Sequence, residues 1–311
     1  MTRSLFSTIA LTLVTASAQA QTFQVDATGA RHSGLAVKVS NGLYEPTLAS
    51  DNLGSLIVAF TTPVTAQGCS EAWAIGYAAS TDGLNWSVSP DYVIAPKAGT
   101  PAACGARSPT LVIDENNVAR LWFSAVDAQG KESVAAAMIN YDNIKIKRAS
   151  GLNGILEPSV ASMAGGYRMI GVDGSTGDLV SATSDNGVSW SRDAGVALPT
   201  GAVSFGLGGY TSPSLTCESG VAFPWTMHYA GVDNGVLTDW GYGVSSDGGF
   251  WFLSPGLGFP GGVPTSFDTL ETDNGGTVMV YAEPDGLGSS HLSFASTGAW
   301  APMDLNSRIC P

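Results

Sequence analysis

Charge is scarce in this chain, and positive charge scarcest. Only 13% of the 311 residues are charged, with 13 Lys or Arg against 26 Asp or Glu, for a formal net charge of −13. So few cations, thinly scattered, cannot neutralise a phosphate backbone, which excludes nucleic acid as a partner. Beyond residue 20 no stretch approaches the roughly 18 apolar residues that a membrane-crossing helix needs, so no membrane partner is expected. The three histidines, His32, His228 and His291, show no metal-ligand spacing, and the four cysteines include no C-x-x-C pair; neither metal nor cofactor is expected. G-x-S-x-G does not occur, which removes an α/β-hydrolase serine site. Helical periodicity with proper caps is missing throughout.

What the first 20 residues do contain is a secretory pattern: Arg3, an apolar stretch Leu5–Val14, and Ala18-Gln19-Ala20 before Gln21. Residues 1–20 are therefore expected to be a signal peptide and 21–311 a single domain, secreted or periplasmic. Without Arg3 the mature charge becomes −14. Export turns the four cysteines into two expected disulfides. Three pairings are possible; Cys69–Cys104 and Cys217–Cys310 are favoured, the second clasping the C-terminal tail to an earlier segment.

Gly is abundant, at 39 residues, and recurs in a repeated turn phrase. Residues 80–86 read Ser-Thr-Asp-Gly-Leu-Asn-Trp, 184–190 Ser-Asp-Asn-Gly-Val-Ser-Trp, and 245–251 Ser-Ser-Asp-Gly-Gly-Phe-Trp. Upstream lies a second phrase: Glu45-Pro46-Thr47-Leu48, Ser108-Pro109-Thr110-Leu111, Glu157-Pro158-Ser159-Val160, Ser212-Pro213-Ser214-Leu215, and a looser Ser266-Phe267-Asp268-Thr269-Leu270. These begin at intervals of 63, 49, 55 and 54 residues. A unit of that length holds about four short strands, the content of one propeller blade. The expected fold is all-β, a five-bladed β-propeller. In each unit the proline phrase should start the first strand, the Asp-Gly turn should join the third and fourth, and the Trp should pack against the next blade.

Innermost strands line a propeller's central channel, so the residues before the prolines become the candidate site. Glu45 and Glu157, with Asp268 in the loose copy, are the candidate catalytic carboxylates, since glycosidic hydrolysis needs an acid and a base facing each other. The alternative is that both glutamates cap backbone N–H groups beside the channel. Arg107, Tyr44, Tyr210, Trp240 and His291 are candidate substrate contacts, with rings placed to stack on a sugar face and Arg107 to grip a hydroxyl or carboxylate. Asp173-Gly174-Ser175-Thr176-Gly177-Asp178 hints at a calcium loop, but Ser184 stands where an EF-hand needs Glu, and a tight turn is expected.

The run Ala74–Trp86, and Met227–Asp233 followed by Gly241–Gly248, resemble the blade endings of five-bladed glycoside hydrolases: the arabinanases and β-xylosidases, invertases and levansucrases, and β-mannoside phosphorylases. The resemblance covers nearly all of residues 35–300. It implies a carbohydrate substrate or ligand, Glu45 as nucleophile or base, and Glu157 as acid. Arg107-Ser108-Pro109 occupies the place of the invertase Arg-Asp-Pro, and Ser212 that of an arabinanase acid, so one carboxylate of three is missing on either template. Two readings follow: an exported glycoside hydrolase-like enzyme, or a non-catalytic propeller that binds glycan.

Overall fold

The computed structural model describes residues 42–296, except 52–53, 82–84, 114–117, 141–142, 205, 255–265, 272–276 and 285–289. The described residues are all-β, without a helix. Among the described residues nineteen strands follow one another in successive groups, called units here. The first comprises β1 (Tyr44–Ser50), β2 (Leu56–Val64), β3 (Ala72–Ser80) and β4 (Ser87–Val88). The second comprises β5 (Gly105–Ile113), β6 (Ala119–Val126), β7 (Glu132–Asn140) and β8 (Asn143–Arg148). Next come β9 (Ile155–Met163), β10 (Gly166–Asp173), β11 (Leu179–Ser184) and β12 (Ser191–Arg192). The fourth holds β13 (Gly209–Cys217), β14 (Trp225–Asp233), β15 (Val236–Ser245) and β16 (Phe252–Leu253); the fifth, β17 (Phe267–Glu271), β18 (Thr277–Pro284) and β19 (Ser290–Ser296).

Inside each unit consecutive strands pair antiparallel. A parallel bridge between Trp73 and Gly105 joins the first two units into one sheet. The Cys69–Cys104 disulfide crosses the same junction. Cys310, and with it the pairing to Cys217, lies outside the described residues, as does the segment 1–20.

The core lies between units rather than within one. Alternating side chains give the sheets two apolar faces, and these pack on neighbouring units. Leu48, Val58 and Phe60 of the first unit pack with Val278, Val280 and Leu292 of the fifth. Ala59 and Ile75 meet Leu121 and Phe123 between the first and second units. Trp122 and Val134 meet Met169 and Trp190 between the second and third. Ile170 and Leu179 meet Met227 and Tyr229 between the third and fourth, and Trp240 meets Phe267 and Met279 between the fourth and fifth. Among the described residues these cores link each unit to the next and the fifth to the first, and β17 also packs on β1.

Two expectations need correction. The proline phrase does not start the first strand; it sits inside it, at a bulge. Ladder pairing jumps from Tyr44 to Thr47, from Arg107 to Thr110, and from Thr211 to Ser214. A matching irregularity in β9 spans Glu157 and Pro158. Proline has no N–H to give the ladder, and a bulge is where a strand tolerates that loss. The turn Trp, moreover, faces the preceding unit, not the next. Trp190 lies 6.3 Å from Trp122, and Trp86 stacks 5.2 Å from Phe294 of the fifth unit.

The turns explain the direction. Ser184 and Ser245 accept N–H bonds from Gly187 and Gly248. Asn186 and Asp247 each accept two more, from residues 188–189 and 249–250. With φ of 73° and 72°, both glycines occupy the left-handed region. The exposed carbonyls are then taken from the preceding unit: Gly187 O by Trp122 Nε1 at 2.7 Å, Gly248 O by Arg168 Nη1 at 3.0 Å.

Candidate functional site

Four non-glycine residues at equivalent places share a left-handed backbone: Glu45 (φ 46°), Ser108, Glu157 and Ser212 (each 49°). Each precedes the bulge proline of an innermost strand. A side-chain-bearing residue held there costs on the order of 1–3 kcal/mol and needs surroundings that over-determine it. The surroundings are visible. Glu45 N donates to Ser266 Oγ, Ser108 N to Thr61 Oγ1, Glu157 N to Ser124 Oγ, and Ser212 N to Glu157 Oε2. The bulges thus aim four side chains at the middle of the ring, and neighbouring units hold them there.

These residues line a cavity of about 190 Å³ together with Arg107, Thr211, Ser266 and Asp268. Arg107 is gripped firmly. Its Nη2 and Nε donate to Glu45 Oε1 at 2.6 and 3.2 Å, and Nη1 approaches Glu132 Oε1 at 3.4 Å. Its guanidinium also lies 5.4 Å from the Trp73 ring centre. Burial, the largest single influence, would pull the Arg107 pKa down, but the charge and hydrogen bond of Glu45 together with the charges of Glu132 and Glu157 outweigh it, and the guanidinium is held more strongly protonated. Glu45 Oε2 accepts the N–H of Ser108 at 2.8 Å, so both oxygens of this carboxylate are engaged.

Glu157 is arranged differently. Oε2 accepts from Thr211 Oγ1 and Ser212 N, both at 2.7 Å, while Oε1 accepts no hydrogen bond among the described residues. Burial pushes its pKa above the usual carboxylate value, the nearby negative charge of Glu45 adds to this, and the two bonds only partly oppose it. A carboxyl with one tethered oxygen, one open oxygen and a pKa raised by burial is suited to the donation of a proton.

Asp268 is a clasp. Oδ2 accepts from Thr47 Oγ1 and Leu48 N, each at 2.9 Å, and Oδ1 from Ser214 Oγ at 2.6 Å, tying the fifth unit to the first and the fourth. Burial raises its pKa too. Of the five side chains expected to contact substrate, Arg107 alone lines the cavity, and it is paired with Glu45 and Glu132 rather than open to a ligand. Tyr44 meets the Trp73 edge 6.4 Å away, one ring removed from Arg107.

The other three lie elsewhere. Tyr210 is buried against Tyr229 and donates its hydroxyl to Pro199 O. Trp240 is 1% exposed, stacked on His228 inside the core between the fourth and fifth units. His291 is buried, with Nε2 3.3 Å from Glu283. For these three the strand alternation that faces a neighbouring unit overrode the position in sequence.

Glu132 and Trp73 were not legible beforehand, because both lie in third strands and reach Arg107 only after the sheet folds. Asp173 forms the expected tight turn, accepting from Ser175 and from Arg192 Nη2. Among the described residues no group of three or more His, Cys, Asp or Glu could hold a metal.

No protein-family profile and no curated protein matches the sequence. Solved structures do match. One comes from the GH130 family of mannoside phosphorylases, described as containing glycoside hydrolases that target β-1,2 mannosidic linkages in Candida mannan; it is 13% identical, with a TM-score of 0.65 over 83% of this chain and 84% of the other. The β-1,2-mannobiose phosphorylase of Listeria innocua is 11% identical, with a TM-score of 0.64 over 85% and 94%. The β-fructofuranosidase of Schwanniomyces occidentalis is 15% identical, with a TM-score of 0.63 over 84% of this chain and 57% of the other. The fold is therefore the β-propeller fold of glycoside hydrolase-like proteins, and at these identities the likeness is one of fold.

Proposed function

We propose that the protein is an exported five-bladed β-propeller that cleaves glycosidic bonds in a poly- or oligosaccharide. Glu157 is the general acid that protonates the leaving oxygen. Glu45 is the carboxylate partner, acting as base or nucleophile, and Arg107 with Ser108 N–H fixes its position. Asp268 orients the first and fourth units rather than moving a proton. The observation that carries this reading is the convergence of Glu45, Arg107 and Glu157 on one cavity, carried there by three strained bulges. A fold accepts strain of this kind most readily where a side chain must be aimed.

A second reading has its own support: each glutamate also accepts a backbone N–H from the next unit, as a scaffold for a non-catalytic glycan-binding mouth would. One experiment separates them. Wild type and Glu157→Gln are assayed on arabinan, xylan, fructan and β-mannan, with and without phosphate. The enzyme reading expects turnover on one of them and a fall of about 10²–10⁴ in the variant. Equal turnover by both proteins removes Glu157 from the mechanism. Binding without turnover in both establishes the binding module.

A further inference from the structure

A second and larger hollow of about 690 Å³, which shares no lining residue with the central cavity, opens between the second and third units. Arg120, Trp122, Met138, Lys145, Lys147 and Val188 are among its lining residues. Strand register explains how they meet. Arg120 of β6 pairs with Met138 of β7, which pairs with Lys145 of β8; one row inward, Trp122 pairs with Ala136, and Ala136 with Lys147. All six therefore lie on one face of the second sheet. The turn at Asn186–Ser189 forms the opposite wall.

Three of the chain's 13 cations gather on this face. Among the described residues none of the three forms an ion pair, although the chain carries 26 acids. Arg120 lies 5.6 Å over the Tyr167 ring, and its Nε is buried without a hydrogen-bond partner. Lysines on the edge strand β8 are accounted for in part as protection against edge-to-edge pairing. Arg120 stands two strands further in, so that account does not reach it.

Lys145 and Lys147 are two residues apart on one strand, about 7 Å; Arg120 and Lys145 are two strands apart, about 10 Å. Cations spread over that length of backbone can meet charges spaced along an extended ligand. The floor between them is apolar, with Met138 40% exposed and Ala136 beneath it, which disfavours a strongly hydrated inorganic ion. An extended ligand with spaced negative charges and a weakly polar body fits both features.

We infer that this groove is a second binding site that holds a carboxylate-bearing oligosaccharide, a uronate-containing chain, between the second and third units. The saccharide identity rests on the glycan-acting reading above; the anion preference rests on the groove alone.

The test is calorimetric titration of the Glu157→Gln protein, in which the proposed turnover is suppressed, with a galacturonic acid tetramer and with its carboxyl-reduced, neutral counterpart. Binding of the acidic tetramer is expected, weakened at least tenfold in a K145A/K147A variant and likewise in R120M, and weakened by added salt, with the neutral tetramer bound at least tenfold less tightly. Lys145 and Lys147 are exposed, so their removal leaves folding intact, which a melting curve checks. Equal affinity for the two tetramers, unchanged affinity in K145A/K147A, or equal competition by a single-stranded oligonucleotide overturns the inference. Loss of this binding with glycosidase turnover preserved in K145A/K147A bears on the groove alone. Absence of turnover on every glycan, with groove binding preserved, bears on the proposed function alone.

Discussion

At the scale of single residues, burial determines how protons are held here. His228 is fully enclosed, stacked on Trp240, with Nδ1 3.1 Å from Thr269 Oγ1. Desolvation pulls its pKa down to about 3, so the folded protein keeps it neutral. The unfolded chain binds that proton near pH 6.5. Stability from this group is therefore complete above pH 6.5 and is lost progressively as pH falls from there towards 3. The raised carboxyls Glu132, Glu157 and Asp268 act in the opposite sense. A comparison of wild type with His228→Gln isolates the histidine: the difference in unfolding free energy should shrink as pH falls below 6.5. A difference that stays constant between pH 7 and 4 contradicts a neutral buried His228. For Glu157 the proposed acid role sets the direction of a pH profile, with turnover falling as pH rises through its elevated pKa.

At the scale of elements, the turn phrase is an inter-unit device as much as a hairpin connection. Gly187 has φ 73°, and a Cβ placed there would meet Trp122 Cζ2 at 2.7 Å. Gly130 has φ 76° in open space. Gly130→Ala should cost only the left-handed penalty, about 1–2 kcal/mol. Gly187→Ala should cost more, because Trp122 must also move and its bond to Gly187 O is disturbed. Thermal melting of the two variants reads the difference, and equal shifts would show that the turn does not seat on the preceding unit. The proline bulges teach a related lesson. From the sequence, Pro46, Pro109, Pro158 and Pro213 look like strand starts, because proline cannot serve a ladder. The fold keeps them inside strands by letting the ladder skip them, and the skipped residue is the one turned towards the centre.

At the scale of the whole molecule, closure depends on contacts between the last unit and the first. Asp268 gathers donors from Thr47, Leu48 and Ser214. Asp268→Ala leaves several buried donors unsatisfied, each worth about 1–3 kcal/mol. A loss of about 3–5 kcal/mol in denaturant unfolding is expected, in a variant whose first and fifth units separate together. A change below 1 kcal/mol would mean that the ring is held by its apolar cores alone.

The repeat, the strands and the proline phrase follow from local chemistry. Alternating apolar residues, Asp-Gly or Asn-Gly turns and prolines at fixed intervals specify β units before any long-range contact forms. Glu45, Glu157 and Asp268 could be singled out for the same reason: they recur in one phrase. Tertiary structure decided what no spacing carries. It determined which face of each strand meets a neighbour, so Trp240 and Tyr210 went into the core while Glu132 and Trp73 came to Arg107. It also determined that each turn Trp seats on the preceding unit, and that Arg120, Lys145 and Lys147 share one groove. The physical reason is that strand alternation fixes two faces, but only the packing of one sheet on the next, and the closing of the last on the first, decides which face is buried and what the other meets.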